Sequence, residues 1–155
     1  MGMRMELVAG QVPAILEAIA SEDRAALSDG ARFPAYLSLS GGMDPTWLDL
    51  FSESARIATD LDQPIDFIDA RIDLGASDED RRTIERVDPA WISAVASIPE
   101  ASLGSLTGRW IDRIEDELGE LPREEKPWIR ELAGKVVAFC RTADRSGDVV
   151  FIWEL

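Results

Sequence analysis

The run Val149-Val150-Phe151-Ile152-Trp153 is apolar on both faces of an extended chain. Successive strand side chains point to opposite sides, so Val149, Phe151 and Trp153 line one face and Val150 and Ile152 the other. A strand that must bury both faces belongs near the middle of a sheet. The turn Ser146-Gly147-Asp148 delivers it, and the strand is expected to run to Glu154.

The opposite end of the chain supplies a second strand. Met3, Met5 and Leu7 alternate with Arg4, Glu6 and Val8, the pattern of a half-buried strand that Gly10 ends. Ala31 to Ser40 alternates again, around Phe33, Ala35, Leu37 and Leu39. Pro34 has no N–H to give a ladder, which moves this run to a sheet edge.

Between the strands the period is helical. Pro13 opens a helix with Ile15, Leu16 and Ile19 inward, and Ser21 to Gly30 extends it or forms a second, shorter one. Asp44-Pro45 starts a helix running to Thr59, and Asp88-Pro89 starts one running to Ile98. Leu103, Leu106, Trp110, Ile114 and Leu118 form one stripe, closed by Gly119. Pro127 opens a last helix reaching Arg145, with Ile129, Leu132, Val136, Phe139 and Cys140 inward. Leu61 to Leu74 fits both periods. Ile65, Ile68 and Ile72 align on a helix, whereas Ile68, Ala70, Ile72 and Leu74 share a strand face. Asp is a poor strand residue and four follow Leu61, so the reading leans to helix and leaves the strand open. The expected architecture is α+β: a small three- or four-stranded sheet built from both chain ends, covered by five or more helices. At 155 residues the chain is expected to be a single globular domain, 1–155.

Composition narrows the chemistry. There is no histidine, which removes the commonest general base, every Ser-His or Cys-His pair and most zinc and iron sites. One cysteine, Cys140, rules out an internal disulfide framework, and its inward position reads as buried and inert. Thirty acidic residues against sixteen basic ones leave a net charge of −14. Phosphate backbones and anionic lipid surfaces both call for a cationic face, so neither nucleic acid nor membrane is the expected partner. The opening MGMRMELVAG lacks the apolar core of a secretory signal, and the expected compartment is the cytoplasm.

The charge is uneven. Asp44 to Asp80 holds eleven acids against Arg56 and Arg71, a net −9. Within it Asp60, Asp62, Asp66, Asp69 and Asp73 are the candidate binding residues, an acidic face for docking on a basic protein. If 61–74 is helical, Asp66, Asp69 and Asp73 share a face with Asp62 nearby. Such a row is also the place where a carboxylate- or Mg²⁺-dependent enzyme would do its chemistry. The spacing matches no calcium loop, and no metal, cofactor or catalytic residue is assigned from it.

Three further patterns have local readings. Asp44-Pro45-Thr46-Trp47 and Asp88-Pro89-Ala90-Trp91 are helix starts: Asp caps, Pro fits the first turn and Trp begins the buried face. Lys126-Pro127-Trp128 is a looser version, and all three tryptophans are expected to anchor helices in a core. Ser38 to Asp44 runs from strand through Gly41-Gly42 into a helix N-terminus, the geometry of an anion site, but Asp44 occupies the place of the anion.

The two chain ends resemble the YfbM-like group of uncharacterised bacterial proteins. The resemblance lies in Met1-Gly2-Met3 leading into strand and helix, and in the closing helix, turn and strand from Leu132 to Leu155. It implies an α+β fold and carries no activity. The function expected is therefore a small acidic cytoplasmic interaction protein without catalytic activity, an immunity- or inhibitor-type partner of a basic protein being one concrete form.

Overall fold

A computed structural model describes residues 4–39, 43–59, 66–74 and 82–154. In chain order the elements are β1 (Arg4–Gly10), α1 (Val12–Ala20), α2 (Arg24–Leu27), β2 (Ala35–Ser38), α3 (Pro45–Thr59), β3 (Arg71–Asp73), β4 (Arg82–Val87), α4 (Pro89–Ala96), α5 (Leu103–Leu118), α6 (Lys126–Ala143) and β5 (Asp148–Glu154). A 3₁₀ turn, Glu100–Ser102, leads into α5. The class is α+β. No helix among the described residues is long and apolar enough to cross a membrane.

The strands lie in the order β2-β1-β5-β4-β3, each antiparallel to its neighbour. β5 is the middle strand, and its register separates the two cores. Val150 and Ile152, with Val8 and Ile84, meet Ile15, Ile19, Leu27 and Phe33 from α1, α2 and the segment after them. Val149 and Phe151, with Met5, Leu7 and Leu37, meet the larger layer formed by α3, α4, α5 and α6. The two-faced apolar strand is thus covered on both sides, as its pattern required. β2 is an edge strand, where Pro34 placed it.

Three expectations need correction. The sheet has five strands among the described residues, not three or four, and one of its edges comes from the middle of the chain. The overlooked strand is β4. Its pattern is obscured by charge, and each charge has a partner on a neighbouring strand. Arg82 Nε lies 2.7 Å from Glu154, Arg86 Nη2 donates to Asp148 at 2.8 Å, and Arg71 lies 3.4 Å from Glu85. Such cross-strand pairs let polar residues occupy strand positions that propensity alone disfavours.

The lean toward helix over 61–74 is overturned for its described part. The N–H groups of Asp69 and Ala70 both reach the carbonyl of Asp66, one turn of helix-like bonding. Then Ala70 O accepts from Asp88 N at 2.6 Å, and β3 pairs with β4. Residues 60–65, including Asp60 and Asp62, lie outside the described residues.

The third correction concerns tryptophans. Both Asp-Pro starts are caps: Asp44 Oδ1 accepts from Thr46 N and Asp88 Oδ1 from Ala90 N, each at 2.8 Å. Trp91 is fully buried and donates to Ser52 Oγ at 2.8 Å, joining α4 to α3. Trp47 and Trp128 are only partly buried. Trp128 sits at the margin of the core, where α6 passes the β2 edge.

Candidate functional site

The candidate site lies where α3 meets the turn that leads into β3. α3 presents Leu48, Leu50, Phe51 and Ala55 to the core, and Asp49 sits on the border of that face. Its Oδ1 accepts from the backbone N–H of Ile68 at 2.6 Å, which fixes the turn against the helix. Partial burial raises the Asp49 carboxyl above its ordinary value. The Ile68 N–H and the Arg71 guanidinium act in the opposite direction, and Asp66 and Asp69 add to the rise.

Beneath the turn is an aromatic base. Phe67 is fully buried, 5.0 Å from the Trp91 ring and 5.1 Å from the Phe151 ring, edge to face in both cases. Arg71 lies over Phe67 and Phe151 at 5.4 and 5.3 Å and pairs with Glu85, with only 14 % of its side chain exposed. A guanidinium is weakly hydrated and stacks well, which makes it the cation suited to such a place. Its charge is therefore largely spent inside the molecule.

The acids above it remain wet. Asp66 is half-exposed and 3.9 Å from Arg56, a loose pair between exposed side chains. Asp69 and Asp73 are exposed, Asp69 on the turn and Asp73 on β3. The structure brings Asp66 and Asp69 to one turn with Asp49 behind them, and puts Asp73 on the adjoining strand. The helical row that would have aligned Asp66, Asp69 and Asp73 does not form. Among the described residues no group of three or more Cys, Asp or Glu side chains is placed to hold a metal ion.

Chemically, exposed carboxylates on a fixed turn can attract and orient cations over several ångströms, screened by salt. Acid–base chemistry calls instead for a group held close to a reacting atom in a dry site, and Asp69 and Asp73 are solvent-exposed. Asp49 has the shifted value, but its oxygen is engaged by the turn it holds. Sequence reasoning counted Asp49 among the acids without singling it out. The available signal was its position between the apolar residues Leu48 and Leu50.

Cys140 is buried on α6, and burial pushes its thiol well above the ordinary value, with Asp144 adding to the rise. A thiol held in that form is a poor nucleophile. Its neighbour Arg141 is turned away and donates to the carbonyls of Ala96 and Ile98 and to Glu100. The diglycine at 41–42 lies outside the described residues. No protein-family model, no curated protein and no solved structure matches the chain.

Proposed function

We propose that this chain is a cytoplasmic interaction protein without catalytic activity, and that the segment 44–80 docks on a basic protein in the manner of an immunity or inhibitor protein. The observation that carries the reading is the placement of Asp66, Asp69 and Asp73. Asp66 and Asp69 stand on a turn anchored by Phe67 and Asp73 on the adjoining edge strand, Asp69 and Asp73 exposed and Asp66 half-exposed beside Arg56, while the nearby cation Arg71 is absorbed by Glu85 and two rings. The surface is thus strongly acidic and seated on the core, two properties that favour fast, oriented capture of a cationic surface. The net charge of −14 acts in the same direction at longer range.

The test is affinity capture with the wild type and with the triple variant Asp66→Asn, Asp69→Asn, Asp73→Asn. Basic proteins should be held by the wild type at low ionic strength, released near ~1 M salt where the screening length falls to about 3 Å, and lost with the triple variant. Retention that ignores both salt and the substitutions would refute this function.

A further inference from the structure

The most exposed large apolar side chain among the described residues is Ile68, at 59 %. It stands on the acidic turn, between Asp66 and Asp69, and its neighbours Phe67 and Ala70 are fully buried. Granted the docking function proposed above, we infer that Ile68 is the apolar anchor of the docking surface, and that the segment it takes from the basic partner carries an apolar side chain set between lysines or arginines.

Exposure here is built into the local structure. The Ile68 N–H donates to Asp49 Oδ1 at 2.6 Å, and the N–H groups of Asp69 and Ala70 both reach the Asp66 carbonyl. Phe67 fills the aromatic base below. With the residues on either side tied down in this way, the Ile68 side chain is held at the surface and away from the core. A lone exposed apolar residue is ordinary on a protein surface. This one is distinguished by its place, on a turn whose other two outward side chains, Asp66 and Asp69, are both carboxylates.

Charge and contact then have separate tasks. Carboxylates speed the encounter with a cationic surface, but salt screens them beyond about 8 Å at physiological strength. Residence time depends on contacts that exclude water, which salt does not screen. A partner surface that was basic and wholly polar would leave Ile68 wet. Cations on both sides of an apolar side chain match the order Asp66, Ile68, Asp69, so both kinds of contact form together. Asp69 has no ion pair among the described residues, and Asp66 is held only by the loose contact with Arg56 at 3.9 Å. A second copy of this chain is the wrong occupant, because it brings the same acidic segment to the same place.

Two synthetic peptides of equal charge test this: lysines alternating with leucines, and the same peptide with serine at every leucine position. The wild type should bind the leucine peptide at least about tenfold more tightly, through slower dissociation. Ile68→Ser should abolish that preference without changing the association rate, since no charge is altered. Ile72→Ser is the control. Ile72 is also exposed, but strand alternation puts it on the face of β3 opposite Arg71, so its loss should leave the preference intact. Both sites are exposed, and urea unfolding of the two variants should match the wild type, so a lost preference is not a lost fold. The triple variant of Asp66, Asp69 and Asp73 should slow association with both peptides. Equal affinity of the wild type for the two peptides overturns the anchor role, as does a preference that survives Ile68→Ser or is lost equally with Ile72→Ser. In each of these cases, binding that still falls with the triple variant leaves the docking function standing. If neither peptide binds, or the triple variant binds both as the wild type does, the docking function itself fails and the anchor with it. A dimer in sedimentation that Ile68→Ser dissociates would also overturn the anchor role, since a second copy would then cover Ile68.

Discussion

At one edge of the sheet, β3 contributes three residues, two of them charged, above a base of buried aromatic rings. At the other, β2 contributes four uncharged residues, preceded by a proline, with a groove beside them. Both strands are short, and short edges resist uncontrolled pairing with other chains. The remaining protection differs. The β3 edge relies on charge, and that charge is held in place by packing below it. The β2 edge relies on Pro34 and on the flanking helix, and no residue of the strand itself is charged. A strongly acidic protein can therefore present one charged and one uncharged edge strand, because the sheet keeps them apart.

The comparison makes the β3 edge dependent on its core and the β2 edge dependent on polar contacts. Phe67→Ala should be the costliest change, about 3–5 kcal/mol in urea unfolding, since it empties a fully buried aromatic site beneath the acidic turn. A loss below about 1 kcal/mol would mean that the turn does not rest on the rings. On the β2 side, Tyr36 Oη donates to the buried carboxylate of Glu6 at 2.5 Å. Tyr36→Phe should cost about 1.5 kcal/mol, as expected for a hydrogen bond to a charged group. No measurable loss there would reassign the anchoring of β2 to Leu37 on the other face.

The smallest effect sharpens the role of Asp49. Because burial raises its carboxyl above the ordinary 3.8, the folded state holds a proton more readily than the unfolded chain. Stability from this group is therefore lost as pH rises through the folded value and recovered as pH falls toward 3.8. Asp49→Asn keeps an oxygen for the Ile68 N–H and removes the charge. It should be at least as stable as the wild type near neutral pH, with the difference closing on acidification. Urea titrations at the two pH values decide the matter. A variant weaker than the wild type at neutral pH would show that the charge itself secures the turn.

How legible each region was in the sequence follows from where its stabilising partners lie. β5 could be placed in mid-sheet because its five apolar residues carry the information themselves. The Asp-Pro starts of α3 and α4 were legible for the same reason: capping acts within a few residues. β4 was not, because Arg82, Arg86 and Glu85 make sense only beside Glu154, Asp148 and Arg71, which are distant in sequence. The stretch from Asp66 was misjudged because its single helix-like turn is real, and the Asp88 N–H that diverts it into the sheet comes from another element. In the candidate site, the acids could be counted but not arranged. Which of them stand wet, and which one holds the turn, depended on Phe67 and Ile68.

The position of β5 has a consequence for the order of assembly. The strand that joins both halves of the sheet is synthesised after every other described element. While residues 148–154 are still inside the ribosome, β1 and β4 lack their common neighbour, and each apolar layer lacks the β5 side chains at its centre. The sheet must then close through contacts between the two ends of the described chain, which is slow compared with local pairing. Helices can appear early on the emerging chain, but β1 and β4 can join into one sheet only when the strand between them arrives.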